Sequence, residues 1–128
     1  MLTVGLTATQ SLTVTPQDTA AVHKSGTLEV FATPAMAALM EETAWKMVAP
    51  LLQPEETTVG IALELRHLAP TPVGMTVRCE ATLVEVDRRR LVFDVAVYDE
   101  KEKIGEGKHQ RFIVDSRQFA AKAAQKKG

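Results

Sequence analysis

Cysteine is all but missing from this chain. Cys79 stands alone among 128 residues, so no internal disulfide can form. The three histidines are too scattered to suggest a zinc ligand set. Aromatic residues make up 5% of the sequence, too few for a base-stacking platform on nucleic acid. Neither sign of charge dominates: the formal net charge of −1 gives no electrostatic reason to expect nucleic acid or an anionic membrane as partner. No apolar run approaches the ~20 residues that span a bilayer. The opening MLTVGLTATQSLTV has no basic segment and alternates with threonine, so a secretory signal is not expected. A glycine-rich phosphate loop of the nucleotide-binding kind is missing too, as are repeats. These absences lead to the expectation of a cytoplasmic protein with one domain over 1–128, without metal or redox cofactor, nucleic-acid partner or membrane. Its last residues, about 116–128, read as a helix-prone, frayed basic tail held by Phe119.

What is present is organised around one stretch, VFATPAMAALMEETAWKMVAP, from Val30 to Pro50. Thr33-Pro34 predicts a helix start, with threonine as N-cap and proline at the first helical position. Pro50 ends the helix about four turns later. Apolar residues run nearly all the way round, which predicts burial on most sides. Into that surface the chain sets Glu41 and Glu42. A carboxylate there is costly unless paired or partly solvated, and Glu42, about 100° away round the helix, reads as the surface member.

The remainder reads as β-structure. Thr7 to Val14 is threonine-rich and stopped by Thr15-Pro16, as an edge strand would be. A single helical turn fits within Gln17 to Gly26. Strands follow over Thr58–Leu68, Met75–Val86, Leu91–Tyr98 and Ile104–Val114. Val77, Cys79, Ala81 and Leu83 share one face, with a slip of phase at Val84 that predicts a β-bulge. Leu91, Phe93, Val95 and Val97 share another. Read as four strands in three hairpin-like steps, they make an antiparallel sheet. A sheet with one apolar face and a single long apolar helix satisfy each other in an α+β fold, the sheet curved round the helix.

In that setting VFATPAMAALME (30–41), TVG (58–60), RHLAPTPVG (66–74), RRLVF (89–93) and GEGKHQR (105–111) resemble, in order and spacing, the hotdog thioesterases of the fluoroacetyl-coenzyme A thioesterase branch. The resemblance implies a hotdog fold, a homodimer or dimer of dimers with sites at the subunit junction, and acyl-coenzyme A hydrolysis. It implies catalytic roles for Thr33, Glu41 and His67, and places Gly60 by the thioester carbonyl. The likeness departs at His23 to Glu29, a shorter segment without an aromatic residue, so fluoroacetyl selectivity is not among the expectations.

Residue chemistry fits those roles. A helix N-terminus at Thr33 offers backbone donors, those of Ala35 and Met36, to a developing oxyanion. Glu41 can serve as nucleophile or general base. His67 closes a strand before a proline-rich loop, a rigid yet open place for a proton carrier. Glu41 lies eight residues past Thr33, about 12 Å along a helix and ~80° round it, so the two side chains of one helix are not expected to touch, and supply by different subunits is a solution if both act on one thioester. Arg89 and Arg90 are candidates for the coenzyme A phosphates, against the plainer reading of a solvated turn. Trp45 reads as core or interface. His109 shows no evident partner and reads as structural or solvent-facing. Asp18 and His23 have the spacing of a hotdog hydratase pair but lack the Asn-Pro between them. The alternative to an enzyme is a non-catalytic acyl-coenzyme A binding module on the same fold.

Overall fold

A computed structural model describes residues 1–128. Five strands and one long helix carry the architecture: β1 (Thr7–Thr13), α1 (Ala20–His23), α2 (Thr33–Val48), β2 (Glu56–His67), β3 (Thr76–Asp87), β4 (Arg90–Tyr98), β5 (Lys103–Asp115) and α3 (Ser116–Ala124). The strands form one antiparallel sheet in the order β1-β3-β4-β5-β2. Helix α2 touches all five strands. This is the expected hotdog, a curved sheet round a central helix.

The alternations read from the sequence set the core. Val77, Cys79, Ala81 and Leu83 of β3 and Leu91, Phe93, Val95 and Val97 of β4 are all buried against Met36, Met40, Ala44 and Val48 of α2. The predicted bulge lies between Leu83 and Glu85. A second register shift, between Gly60 and Ala62, makes Ile61 the extra residue of β2.

Two expectations are corrected. The helix is not buried on most sides. Ala35, Met36, Leu39, Met40, Thr43, Ala44 and Val48 form one inner face, while Pro34, Ala38 and Trp45 lie along an exposed stripe. Small and apolar residues all round a helix identify what can be buried, not what is. Nor are there three hairpins. β3–β4 and β4–β5 are hairpins, but β2 pairs with β5 at the sheet edge, and Leu68–Met75 carries the chain to the far side. That crossing is tied down on the way. The Phe31 N–H donates to the Thr71 carbonyl (2.8 Å), and the Thr71 hydroxyl donates to Asp99 Oδ2 (2.8 Å). These bonds tie the crossing segment to the lead-in of α2 and to the β4–β5 turn.

The tail forms helix α3, capped by Asp115, whose Oδ1 accepts from the Gln118 N–H (2.9 Å). Phe119 is 45% exposed and is no anchor of the kind expected. No helix is long and apolar enough to cross a membrane.

Candidate active site

Helix α2 begins one residue earlier than its sequence suggests. Ala32 is the N-cap, without a side-chain cap, and Thr33 is the first helical residue. The Thr33 hydroxyl is thus released from capping. It lies 2.8 Å from His67 Nδ1, at the end of β2. The Met36 N–H is already committed to the Ala32 carbonyl (2.9 Å), so it is not the oxyanion donor expected of it. His67 is half-buried, its ring edge-on to Phe31 at 6.5 Å, and its Nε2 is buried without a hydrogen-bond partner. Burial pushes its pKa below the ordinary histidine value, the nearby Ala69 backbone opposing in part. A neutral imidazole against a hydroxyl can accept that hydroxyl's proton or hand one on.

Two turns further along α2 a second cluster gathers. Glu41 faces Gly60 of β2 and Arg111 of β5, with Arg111 Nη1 3.8 Å from Glu41 Oε2. At that distance the two form an ion pair without a hydrogen bond. Gly60 permits the approach: a Cβ there would stand 2.9 Å from Glu41 Oε2. Half of the Glu41 side chain remains open, facing a cavity of about 550 Å³ walled by Leu12, Ala35, Ala38, Trp45 and Arg111. Glu42 is as exposed as Glu41, so exposure does not separate the pair; partners do. Glu42 is engaged by Gln10 Nε2 and by Lys46 at 3.1 Å.

Arg111 is the charged member of this cluster that sequence reasoning missed. Its guanidinium is buried, and that burial lowers its pKa against the opposing pull of Glu41. Nε donates to Thr58 Oγ1 (2.8 Å) and Nη2 to the Thr58 carbonyl (3.0 Å). The signal was available in the phase of β5, where Ile113 fixes the odd-numbered positions as inward and sends His109 and Arg111 inside with it. His109 is accordingly buried, the structural one of its two expected readings, and it has partners that the sequence did not reveal. Its Nδ1 lies 2.8 Å from the Ala62 carbonyl, and its Nε2 3.1 Å from Arg111 Nη1.

The structure brings Thr33 to His67 and Glu41 to Gly60, but it leaves the two pairs about 12 Å apart along the helix. Trp45 lines the Glu41 cavity at 40% exposure rather than entering the core. Asp18 and His23 border the same cavity. Asp18 Oδ2, however, accepts from Thr15 N (2.8 Å) and Thr15 Oγ1 (2.9 Å) and closes a turn, while His23 is exposed. Arg89 and Arg90 are not part of either cluster. Arg89 pairs with Glu56 (3.4 Å), and Arg90 with Glu85 and Asp87 at the β3–β4 turn.

Comparison with known proteins gives the family. The chain matches the family described as fluoroacetyl-CoA-specific thioesterase over residues 14–117. It is 42% identical over 98 residues to the fluoroacetyl-CoA thioesterase of Streptantibioticus cattleyicolor, covering 77% of this chain and 70% of that protein. A crystal structure of the fluoroacetyl-CoA thioesterase FlK superposes with a TM-score of 0.94 at 36% identity, over 98% of both chains. A Thermus thermophilus protein of the thioesterase superfamily superposes with a TM-score of 0.92 at 29% identity, over 99% of this chain and 94% of its own. With a family match over most of its length and 42% identity to one of its members, the chain belongs to the fluoroacetyl-CoA-specific thioesterase family.

Proposed function

We propose that the protein hydrolyses small or medium acyl-coenzyme A thioesters to the free acid and coenzyme A, and that two copies of the chain build each site. The observation that carries the chemistry is the Glu41 carboxylate, open to a cavity on one side and held by a buried cation on the other. It attacks the thioester carbonyl, directly or through a water it deprotonates, and the carbon–sulfur bond breaks to release the thiolate. Thr33, the Gly60 backbone and the positive end of α2 hold the carbonyl oxygen as it gains charge. His67 delivers the proton that leaves coenzyme A as its thiol. Water supplies the oxygen of the acid, so the reaction in this reading calls for no metal or redox cofactor. Arg89 and Arg90 stay candidates for the phosphates of coenzyme A, reached by exchanging their intrachain carboxylates for phosphate.

The separation of the two residue pairs motivates the dimer. Strand β2 is 12 residues long and leaves one edge unpaired, an invitation to a second chain. Exposed Ile61, Trp45, Ala38 and Pro34 offer apolar surface for it to cover. A two-fold contact along this edge sets the Glu41 of one protomer against the Thr33–His67 pair of its partner.

Release of free thiol from acetyl-, butyryl-, hexanoyl- and phenylacetyl-coenzyme A tests the activity. Glu41→Gln is expected to lower kcat by two orders of magnitude or more, roughly the share of general-base catalysis, with the dimer intact. Single turnover in heavy-oxygen water decides between attack by the carboxylate and attack by water. The shared site is tested by mixing Glu41→Gln with His67→Ala, each inactive alone. Random exchange of subunits restores about a quarter of the wild-type sites, because half the dimers are mixed and each has one complete site. No recovery after proven exchange would sink the shared site. Binding of all four thioesters without thiol release would favour a sensing module, for which the relatives described above give no support.

A further inference from the structure

Three groups converge above Gly60, and one of them has no part in the chemistry assigned so far. A Cβ on Gly60 would meet Glu41 Oε2, Arg111 Nη1 and the His109 Cε1 atom, the last two at 3.3 Å. His109 is fully enclosed in the sheet, tilted over the Phe93 ring at 6.2 Å. Its partners settle its chemical form. The Ala62 carbonyl can only accept, so the Nδ1 beside it at 2.8 Å carries a hydrogen and donates. The Arg111 guanidinium can only donate, so the Nε2 at 3.1 Å is a bare lone pair that accepts. A second proton would set N–H against N–H inside the sheet. The ring is therefore neutral and held as a single tautomer, with the hydrogen on Nδ1.

We infer that His109 is a positioning residue: as a neutral imidazole carrying its hydrogen on Nδ1, it fixes the Arg111 guanidinium and thereby the cation that holds Glu41 over Gly60. This rests on the assignment of Glu41 as the reacting carboxylate. Two of the donors of Arg111, Nε and Nη2, are anchored on Thr58. Those bonds fix one edge of the guanidinium plane, and Nη1, the nitrogen nearest Glu41, is left to His109. Without an acceptor there, an Nη1 hydrogen is left buried and unsatisfied, the whole planar guanidinium tilts off Thr58 toward the nearest oxygen, and the carboxylate follows its counter-ion. The other ionisable side chains bordering the Glu41 cavity are Asp18, His23 and Glu42, of which Asp18 and Glu42 are committed to Thr15 and to Gln10 and Lys46. The register shift between Gly60 and Ala62 falls beside this arrangement, so the bulged Ile61 sits between the glycine that admits Glu41 and the carbonyl beside His109.

Asparagine and glutamine separate the two ends of the ring. Asparagine reproduces Nδ1 and keeps the bond to Ala62, while glutamine reaches the Nε2 position and keeps an acceptor for Arg111. His109→Asn is expected to lower kcat by about ten- to a hundredfold, the scale of a misplaced reacting group, with KM changed by less than about twofold. His109→Gln is expected to recover most of that loss. Nitrogen NMR of wild-type protein at neutral pH should show His109 protonated at Nδ1 and bare at Nε2, a readout independent of activity and of any variant's folding. An Nε2–H tautomer, or asparagine and glutamine variants of equal activity, would overturn the inference. Failure of the underlying reading looks different: wild-type protein releases no thiol from any thioester, or Glu41→Gln turns over normally, whatever the His109 tautomer.

Discussion

Gly60 shows how much of the site depends on a single missing methyl group. Glu41 Oε2 occupies space that a Cβ at Gly60 would contest at 2.9 Å, and Arg111 and His109 close in from the other side at 3.3 Å. The carboxylate is the far end of a flexible side chain, so it would yield where buried backbone would not. Gly60→Ala is therefore expected to fold, with stability changed by about 1 kcal/mol or less, while kcat falls by about tenfold or more as Glu41 is displaced. Thermal melting and steady-state kinetics on the same preparation check this; unchanged kcat would show that Glu41 does not work from this position. Gly60, Thr33, Glu41 and His67 were legible by resemblance, and the hydroxyl, acid and imidazole also by chemical type. Arg111 was not, because a cation within a strand reads as solvent-facing until the phase of that strand is fixed. The capping role of Thr33 was misplaced by one residue, and that one residue is what frees its hydroxyl for His67.

Among the elements, the hairpin between β3 and β4 carries a local cost. Arg88 has φ 57°, in the left-handed region that favours glycine, and its side chain is 93% exposed with only Asp87 nearby at 3.5 Å. Nothing in its surroundings repays that conformation. Arg88→Gly is expected to stabilise the fold by up to about 1 kcal/mol, the left-handed penalty less the entropy a glycine adds to the unfolded chain. Chemical denaturation reads this directly, and a destabilised variant would show that Arg88 contributes a contact its exposure hides. The existence of each element was readable, since alternation in β3 and β4 and the Thr-Pro start of α2 are local signals. Pairing was not. A short connection suggests a hairpin, yet the link from β2 to β3 crosses the fold and is held on the way through its own Thr71, which bonds to Phe31 and Asp99. Those partners are distant in sequence, so no local window contains them.

For the molecule as a whole, two histidines couple stability to pH. Burial lowers the pKa of both His67 and His109, with backbone hydrogen bonds opposing and the Arg111 charge lowering His109 further. The unfolded chain titrates histidine near 6.5. Below that pH it binds protons that the folded chain refuses, so stability rises with pH across this range. The full contribution is present above about pH 6.5 and is lost as pH falls from there through the folded values. Thermal melts between pH 5 and pH 8 should show a midpoint that drops on the acid side. His109→Gln should flatten that slope, because glutamine does not titrate; an unaltered slope would mean that other groups carry it. Assembly belongs to this scale too. The unpaired edge of β2 and the exposed stripe of α2 predict a dimer by sedimentation, and a strictly monomeric, active preparation would remove the shared site.

By itself the sequence determined which residues can be core, where the long helix begins and ends to within a residue, and which side chains have the chemistry for thioester hydrolysis. Periodicity, capping and side-chain type are written locally, and burial follows from them because apolar surface has one helix and one sheet face to choose between. Only the tertiary structure decided which strand β2 joins, which face of α2 is left open, and that Arg111 and His109 stand behind Glu41. Those outcomes depend on contacts between residues some fifty positions apart, such as Arg111 with Thr58. Such contacts exist only once the sheet has closed round the helix and left a buried charge no partner but the one the fold supplies.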